Sequence, residues 1–481
     1  MESPRSSQAE GRRRDLSRKK TPIELGNIID MLYTDLNKAI DVGSSAHLIE
    51  FGPFKALVDC GMHPKKLGFD ALPDLSKIPD DSLDFIAITH AHLDHCGALP
   101  VLIRRQNSAR VLVSEDSREL MFKMLRNSRS VMVRQRQEKD IKEYPLFDNS
   151  HLDKIAQQLT PMAFNRERVF ELNGSRVSIT FTPSGHIPGA ASITFEYNKK
   201  KYMFSGDISF HDTNLLKGAK PTDDTVDILV IETTRGAREK RVFEDHPSEE
   251  ERLIGEIARV IEDGGNVLIP SFALGRMQEV LLIIAKAKER KVIPAQTPVF
   301  IGGLAVDIAE HLIKLSKTSA YVNFSKKTLE SAHVLREKME PGKDFDEKGI
   351  YVLGSGMMVE NTPAYVAASC VMGSSANAIF LVGYCDPETP AAKLLKTHTG
   401  DDFAFRDLFY IGQVNCRVDK FDLTSHADRE EILDFILRKD PRCVVLTHGS
   451  EESRQWFMYE ILDRLPNANV VIPEPLIPIE L

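Results

Sequence analysis

Residues 86–97 read IAITHAHLDHCG and hold His90, His92, Asp94 and His95 within six positions. Neutral imidazoles beside a carboxylate are ligands suited to Zn²⁺. In extended chain, side-chain alternation puts His90 and His92 on one side. With 14 histidines in 481 residues, a chance H-x-H-x-D-H is on the order of one in a thousand. A metal site is therefore the expectation. One cluster cannot fill two metal shells, and further candidates stand where later apolar runs end. His186 lies in TPSGHIPGAAS, where Gly185 and Gly189 permit a tight loop, Asp207 in MFSGD, and His448 in VVLTHGS. Taken alone, each of these reads as an ordinary strand-end residue.

The segments that must position these side chains are of two kinds. Short apolar or β-branched runs bounded by Gly, Pro, Asp or Asn predict strands at 46–60, 84–89, 110–113, 175–182, 191–205 and 227–231. Helical spacing interrupts them at 115–143 and 151–158. From about 246 an α/β alternation sets in: helix 248–263 with Ser248 and Glu251 in capping-box spacing, strand 266–270, helix 276–290, strand 298–302 and helix 304–316. Such alternation signals βαβ units and a parallel sheet. After 420 come helix 427–438, strand 442–447 and a strand near 468–472.

Composition sets the bounds. A hydrophobic share of 42 % and a charged share of 27 % exclude a disordered or fibrous chain. The net charge of −8 gives no global reason to expect nucleic acid. Residues 1–20 depart from it, with seven basic against three acidic residues, and read as a disordered basic tail. No run of 18 apolar residues suggests a membrane span, and cytoplasm is the expected location. Six cysteines without C-x-x-C spacing are expected to be reduced and buried.

The order Asp59 (LVDCG), His90-x-His92-x-Asp94-His95, His186, Asp207 resembles the metallo-β-lactamase fold. Glu232 in LVIETT, His426 in LTSHAD and His448 in LTHGS resemble motifs A, B and C of its β-CASP branch. The resemblance implies an α/β chain: a metallo-β-lactamase four-layer αβ/βα sandwich, residues 21–236 and 423–481, with an inserted β-CASP α/β domain, residues 237–422. It further implies two Zn²⁺, one held by His90, His92, His186 and Asp207, the other by Asp94, His95, His448 and the shared Asp207. Asp59 would sit behind the ligands and orient a histidine.

RNA-processing members of the branch carry His at motif C, so His448 points to single-stranded RNA as partner. The implied activity is zinc-dependent hydrolysis of RNA phosphodiesters by a two-metal-activated hydroxide, as endonuclease, 5′-exonuclease or both. His426 would be the general acid with Glu232 behind it, and Asp94 stands with them in the catalytic set. Arg276 in PSFALGR, with Ser355, Gly356 and Met357 in LGSGMM, are candidate substrate contacts. Arg126, Arg129, Arg134 and Arg136 read first as a solvated basic helix face, with a border of the RNA path as the alternative. Relatives commonly have Tyr-Gly where this chain has Arg235-Gly236. The architecture resembles the endonuclease subunit of the polyadenylation machinery and, in its compactness, bacterial relatives, with homodimerisation open. The alternative is a small-molecule ester or thioester hydrolase on the same fold.

Overall fold

The computed structural model describes residues 30–172, 174–238 and 246–481; the basic stretch 1–20 lies outside them. Two seven-stranded sheets form the centre. The first runs, in spatial order, Ile479–Glu480, Leu32–Asp35, His47–Phe51, Phe54–Val58, Phe85–Ile88, Arg110–Ser114, Leu159–Met162. The second runs Asn469–Val471, Cys443–Thr447, Ile228–Glu232, Lys200–Phe204, Ala191–Tyr197, Ser175–Pro183, Arg168–Leu172.

Alternation along each strand explains the layering. Phe85 and Ala87 face the second sheet and join a core with Phe51, Phe54, Phe181, Phe195 and Phe204. Ile86 and Ile88 face outward to Leu99, Leu102, Leu120 and Leu152, on the helices Leu99–Leu102, Arg118–Lys139 and Asn149–Gln158. On the second sheet Leu229, Ile231, Val444 and Leu446 face outward to Ile432, Phe435 and Phe457 of the helices Arg429–Lys439 and Glu451–Arg464. The result is the αβ/βα sandwich.

Between Ile228–Glu232 and Arg429–Lys439 the chain builds a third sheet, His333–Val334, Val299–Ile301, Ile350–Leu353, Val267–Pro270, Ala378–Val382, Arg417–Phe421, paired in parallel throughout. The helices His246–Glu262, Arg276–Glu289 and Gly303–Leu315 cover one face, and Pro363–Val371 the other. The first of these cores is continuous with that of the helix Arg118–Lys139, and Lys123 reaches Asp307 at 2.5 Å. Inserted unit and sandwich thus share one apolar cluster.

Several expectations need correction. The run 46–60 is a hairpin, not one strand, turning at Gly52 with φ +52°. The run 191–205 also folds back, at Asn198 and Lys199, both with positive φ, which suits the right-handed twist of a hairpin. The helix expected at 248 already runs from His246, so Ser248 lies within its first turn and is not its cap. The helix after His426 starts at Arg429, with Asp428 and Glu431 in reciprocal capping bonds. All six cysteines are free, but Cys385 is only half-buried. Among the described residues no helix is long and apolar enough to cross a membrane.

Candidate metal centre

The chemistry-bearing residues gather at one edge of the sandwich, where strands of both sheets end. Val58 pairs with Ala87, so Asp59 emerges beside Thr89 and His90. Glu232 pairs with Thr447, so His448 emerges beside Glu232. Asp59 and His448 have positive φ, +60° and +47°, and turn the chain sharply as it leaves each strand. Two glycines permit close approach. A Cβ on Gly61 would lie 1.6 Å from the Asp94 carbonyl oxygen, and Gly185, at φ +76°, would meet the Ser209 carbonyl at 2.4 Å.

Two sets of side chains result. His90, His92, His186 and Asp207 bring one ligand atom each within 4.8 Å of one another, as do Asp94, His95 and His448. Asp207 faces both. Its Oδ2 lies 3.6 Å from His90 Nε2 and 3.4 Å from His186 Nε2; its Oδ1 lies 3.5 Å from His95 Nε2 and 3.3 Å from His448 Nδ1. Asp94 Oδ2 is 3.8 Å from His95 Nε2 and 3.6 Å from His448 Nε2.

The outer atoms fix which nitrogen faces inward. His95 Nδ1 donates to Asp59 Oδ2 at 2.7 Å, and Thr89 donates to the same carboxylate through N and Oγ1. His186 Nδ1 donates to the Ser425 carbonyl at 2.8 Å. His92 Nε2 lies 3.5 Å from the Leu274 carbonyl of the inserted unit, leaving Nδ1 to face His186 Nε2 at 3.1 Å.

Two inward atoms, His90 Nε2 and Asp207 Oδ1, are buried with no hydrogen-bond partner, an arrangement that costs free energy unless something else satisfies them. Burial foremost pushes His90, His92 and His186 below the ordinary imidazole range, so they stay neutral. Burial would raise Asp94 and Asp207, but His95 and His448 outweigh it and hold both below the usual carboxylate range. Burial would lower His95, yet Asp207, Asp59 and Asp94 lift it well above. Neutral nitrogens, ionised carboxylates and two orphaned inward atoms fit divalent cations, whose charge would displace the proton that His95 holds.

Beside the first set stands His426. Its ring centroid lies 4.6 Å from that of His186, and Nδ1 donates to both Glu232 oxygens at 3.0 and 2.9 Å. Glu232 Oε1 also accepts from Ile208 N at 2.7 Å. Burial pulls His426 down, but Glu232 and then Asp207 overcome it, and the ring binds its proton more tightly than free imidazole.

The other candidates lie in the inserted unit. Gly275, at φ +89°, has no room for a side chain because Ile187, next to His186, stands 2.9 Å from its Cβ position. This packing brings PSFALGR against the centre. Arg276 is 8 % exposed, and its guanidinium is drawn below its usual range by burial, against Glu279 and Asp422. Gly356 packs on the Phe272 ring, so LGSGMM and PSFALGR form one edge. The Ser355 hydroxyl is engaged in that turn, accepting from Val359 N at 3.0 Å, and Met357 is half-buried. Arg235, which departs from the common pattern, is held by two carboxylates: Nη1 and Nη2 pair with Asp422 at 3.1 and 2.8 Å, and Nε with Asp428 at 2.9 Å.

Sequence reading missed Thr89, Thr234, whose Oγ1 lies 3.2 Å from His448 Nδ1, and the Ser425 and Leu274 carbonyls. For the two threonines the signal was adjacency to motif residues. The carbonyls carry none.

Two family models match the chain: the metallo-β-lactamase superfamily over residues 39–241, and the Zn-dependent metallo-hydrolase RNA specificity domain over 411–473. The chain is 28 % identical to "Probable RNase MJ4" of Methanocaldococcus jannaschii, over 86 % of this chain and 92 % of that protein. It is 27 % identical to "RNase aCSPSF2" of Saccharolobus solfataricus, over 90 % and 82 %, and 26 % identical to the Drosophila melanogaster cleavage and polyadenylation specificity factor 73, over 85 % and 58 %. A crystal structure of an Enterococcus faecalis protein of unknown function superposes with a TM-score of 0.54 at 12 % identity, over 94 % of this chain and 99 % of that one, which shows the fold. Ligand sets at the edge of an αβ/βα sandwich, the inserted α/β unit and both matched models make the chain a member of the metallo-β-lactamase superfamily, in its β-CASP branch.

Proposed function

We propose that the chain is a ribonuclease that hydrolyses phosphodiester bonds of single-stranded RNA with two Zn²⁺. His90, His92, His186 and Asp207 would hold one ion and Asp94, His95 and His448 the other, with Asp207 standing between the two sets. The observation that carries the reading is the His426–Glu232 pair against the first ligand set, where a phosphodiester's leaving oxygen needs a proton. Bound zinc supplies Lewis acidity to the phosphate and to the attacking water. The chain's own residues do the rest. Glu232 holds the proton on His426 Nδ1, which leaves Nε2–H to protonate the departing oxygen. Asp59 keeps His95 Nε2 turned inward. PSFALGR approaches the centre from the inserted unit through Leu274 and Gly275, and the buried Arg276 charge beside them favours an anionic substrate.

The test is incubation of the zinc-loaded protein with end-labelled RNAs bearing 5′-hydroxyl or 5′-monophosphate, and with circular RNA. Cleavage of the circle establishes endonuclease action; mononucleotides from the 5′-monophosphate RNA alone establish 5′-exonuclease action. A zinc-loaded protein that hydrolyses thioesters or lactones and leaves every RNA intact overturns the proposal.

A further inference from the structure

The helix Arg118–Lys139 has one end at the metal centre and the other far from it. At its start, Ser114 Oγ donates to the Gly189 carbonyl at 2.5 Å, and a Cβ on Gly189 would meet Ser117 N at 2.4 Å. This clamps the helix N-terminus to the loop that carries His186. At about 1.5 Å per residue, Arg129 then lies ~17 Å and Arg136 ~27 Å down the axis.

Residues 118–142 hold eight Lys and Arg against three Asp and Glu, a local +5 in a chain of net charge −8. The first part of this charge is used in packing, since Lys123 pairs with Asp307 across to the inserted unit. In the far part Arg134 is paired with Glu138 at 3.8 Å, and other cations are left over. There a groove of about 610 Å³ is lined by Arg129, Val133, Arg136, Gln137, Asp140 and Lys142. Among the described residues Arg129, Arg136 and Lys142 take part in no ion pair, and Arg129 Nε is buried with no hydrogen-bond partner. Val133, 37 % exposed, offers an apolar surface between the cations. Such grooves, with positive charge tracking a backbone and flat or apolar surfaces taking bases, suit single-stranded nucleic acid. Guanidinium groups grip phosphate bidentately and stack on bases. Asp140 alone opposes them.

We propose that this groove is a distal site for the substrate strand: an RNA engaged at the metal centre continues along the helix, and its phosphates are held by Arg129, Arg136 and Lys142. The inference rests on the ribonuclease reading above. It explains how an acidic chain holds a long polyanion, with the attraction confined to one track.

The test compares wild type with R129A/R136A/K142A, both zinc-loaded, on an RNA of about 30 nucleotides and on bis(p-nitrophenyl) phosphate, which cannot reach the groove. The expected result is a KM for the RNA raised about tenfold at unchanged kcat, with the slope of log affinity against log salt reduced by about 2, as three lost phosphate contacts imply. Hydrolysis of the small diester stays unchanged. A KM for the RNA within twofold of wild type, or an altered oligomeric state with unchanged KM, overturns the distal site and leaves the ribonuclease reading standing. Failure of wild type itself to cleave RNA overturns both. If the triple variant also loses the small-diester activity, R136E/K142E, which changes only exposed side chains, is read by the same criteria.

Discussion

On the proposed reading, Asp59 and His426 would serve two separate tasks at the centre, orienting a metal ligand and moving a proton. The Asp59 carboxylate hydrogen-bonds His95 and Thr89, so Asp59→Asn is expected to weaken zinc binding about 10–100-fold, measured by chelator competition, while kcat at saturating zinc largely returns. His426→Ala is expected to behave oppositely, with kcat lowered about 10²–10⁴-fold at normal zinc content. Full turnover in that variant would remove His426 as proton donor. At this scale much was legible. Histidines and aspartates at motif spacing are rare enough in a chain of this composition to be noticed, and the structure brings all of them to one edge. What holds them was not legible, because the Ser425 and Leu274 carbonyls belong to every residue type alike.

Among elements, the inserted unit joins the sandwich through an ion-pair clasp. Arg235 and Asp422 flank the insertion in sequence and are only 11 % and 9 % exposed; Asp428 caps the helix that follows His426. Arg235→Met takes one of two guanidinium groups from Asp422, leaving Arg238 at 2.8 Å, and the Nε–H bond from Asp428; it is expected to destabilise the protein by about 1–3 kcal/mol, measured by denaturant unfolding. Burial raises the Asp422 carboxyl, but Arg235 and Arg238 overcome it and hold it below its unfolded value. A lowered folded pKa contributes stability above the unfolded value of about 3.9 that is lost as pH falls through the folded one. The gap between wild type and Arg235→Met should therefore narrow below about pH 4; a gap independent of pH would show that packing, not charge, holds the clasp. The buried strands Phe85–Ile88, Val267–Pro270 and Cys443–Thr447 were legible as continuous apolar runs. The strands Arg168–Leu172 and Arg417–Phe421 were not, since charged residues break their apolar runs and only pairing with neighbours makes them strands.

For the whole molecule, the centre is a seam between two sheets. Across it His90 Nε2 and Asp207 Oδ1 lie buried with no hydrogen-bond partner in the protein. Zinc at about 100 times its Kd should add roughly 2.7 kcal/mol of stability, seen as a raised melting temperature of the chelator-treated protein; an unchanged melting curve would argue against a metal held by both sheets. The same seam has a consequence in time. The strand Ile228–Glu232 pairs with Cys443–Thr447, which emerges from the ribosome more than two hundred residues later. His426 and His448 follow the insertion too. On the proposed reading, a chain still being made, with the residues of the first motifs already exposed, would lack both its proton donor and part of its second ligand set until the residues after the insertion have been added.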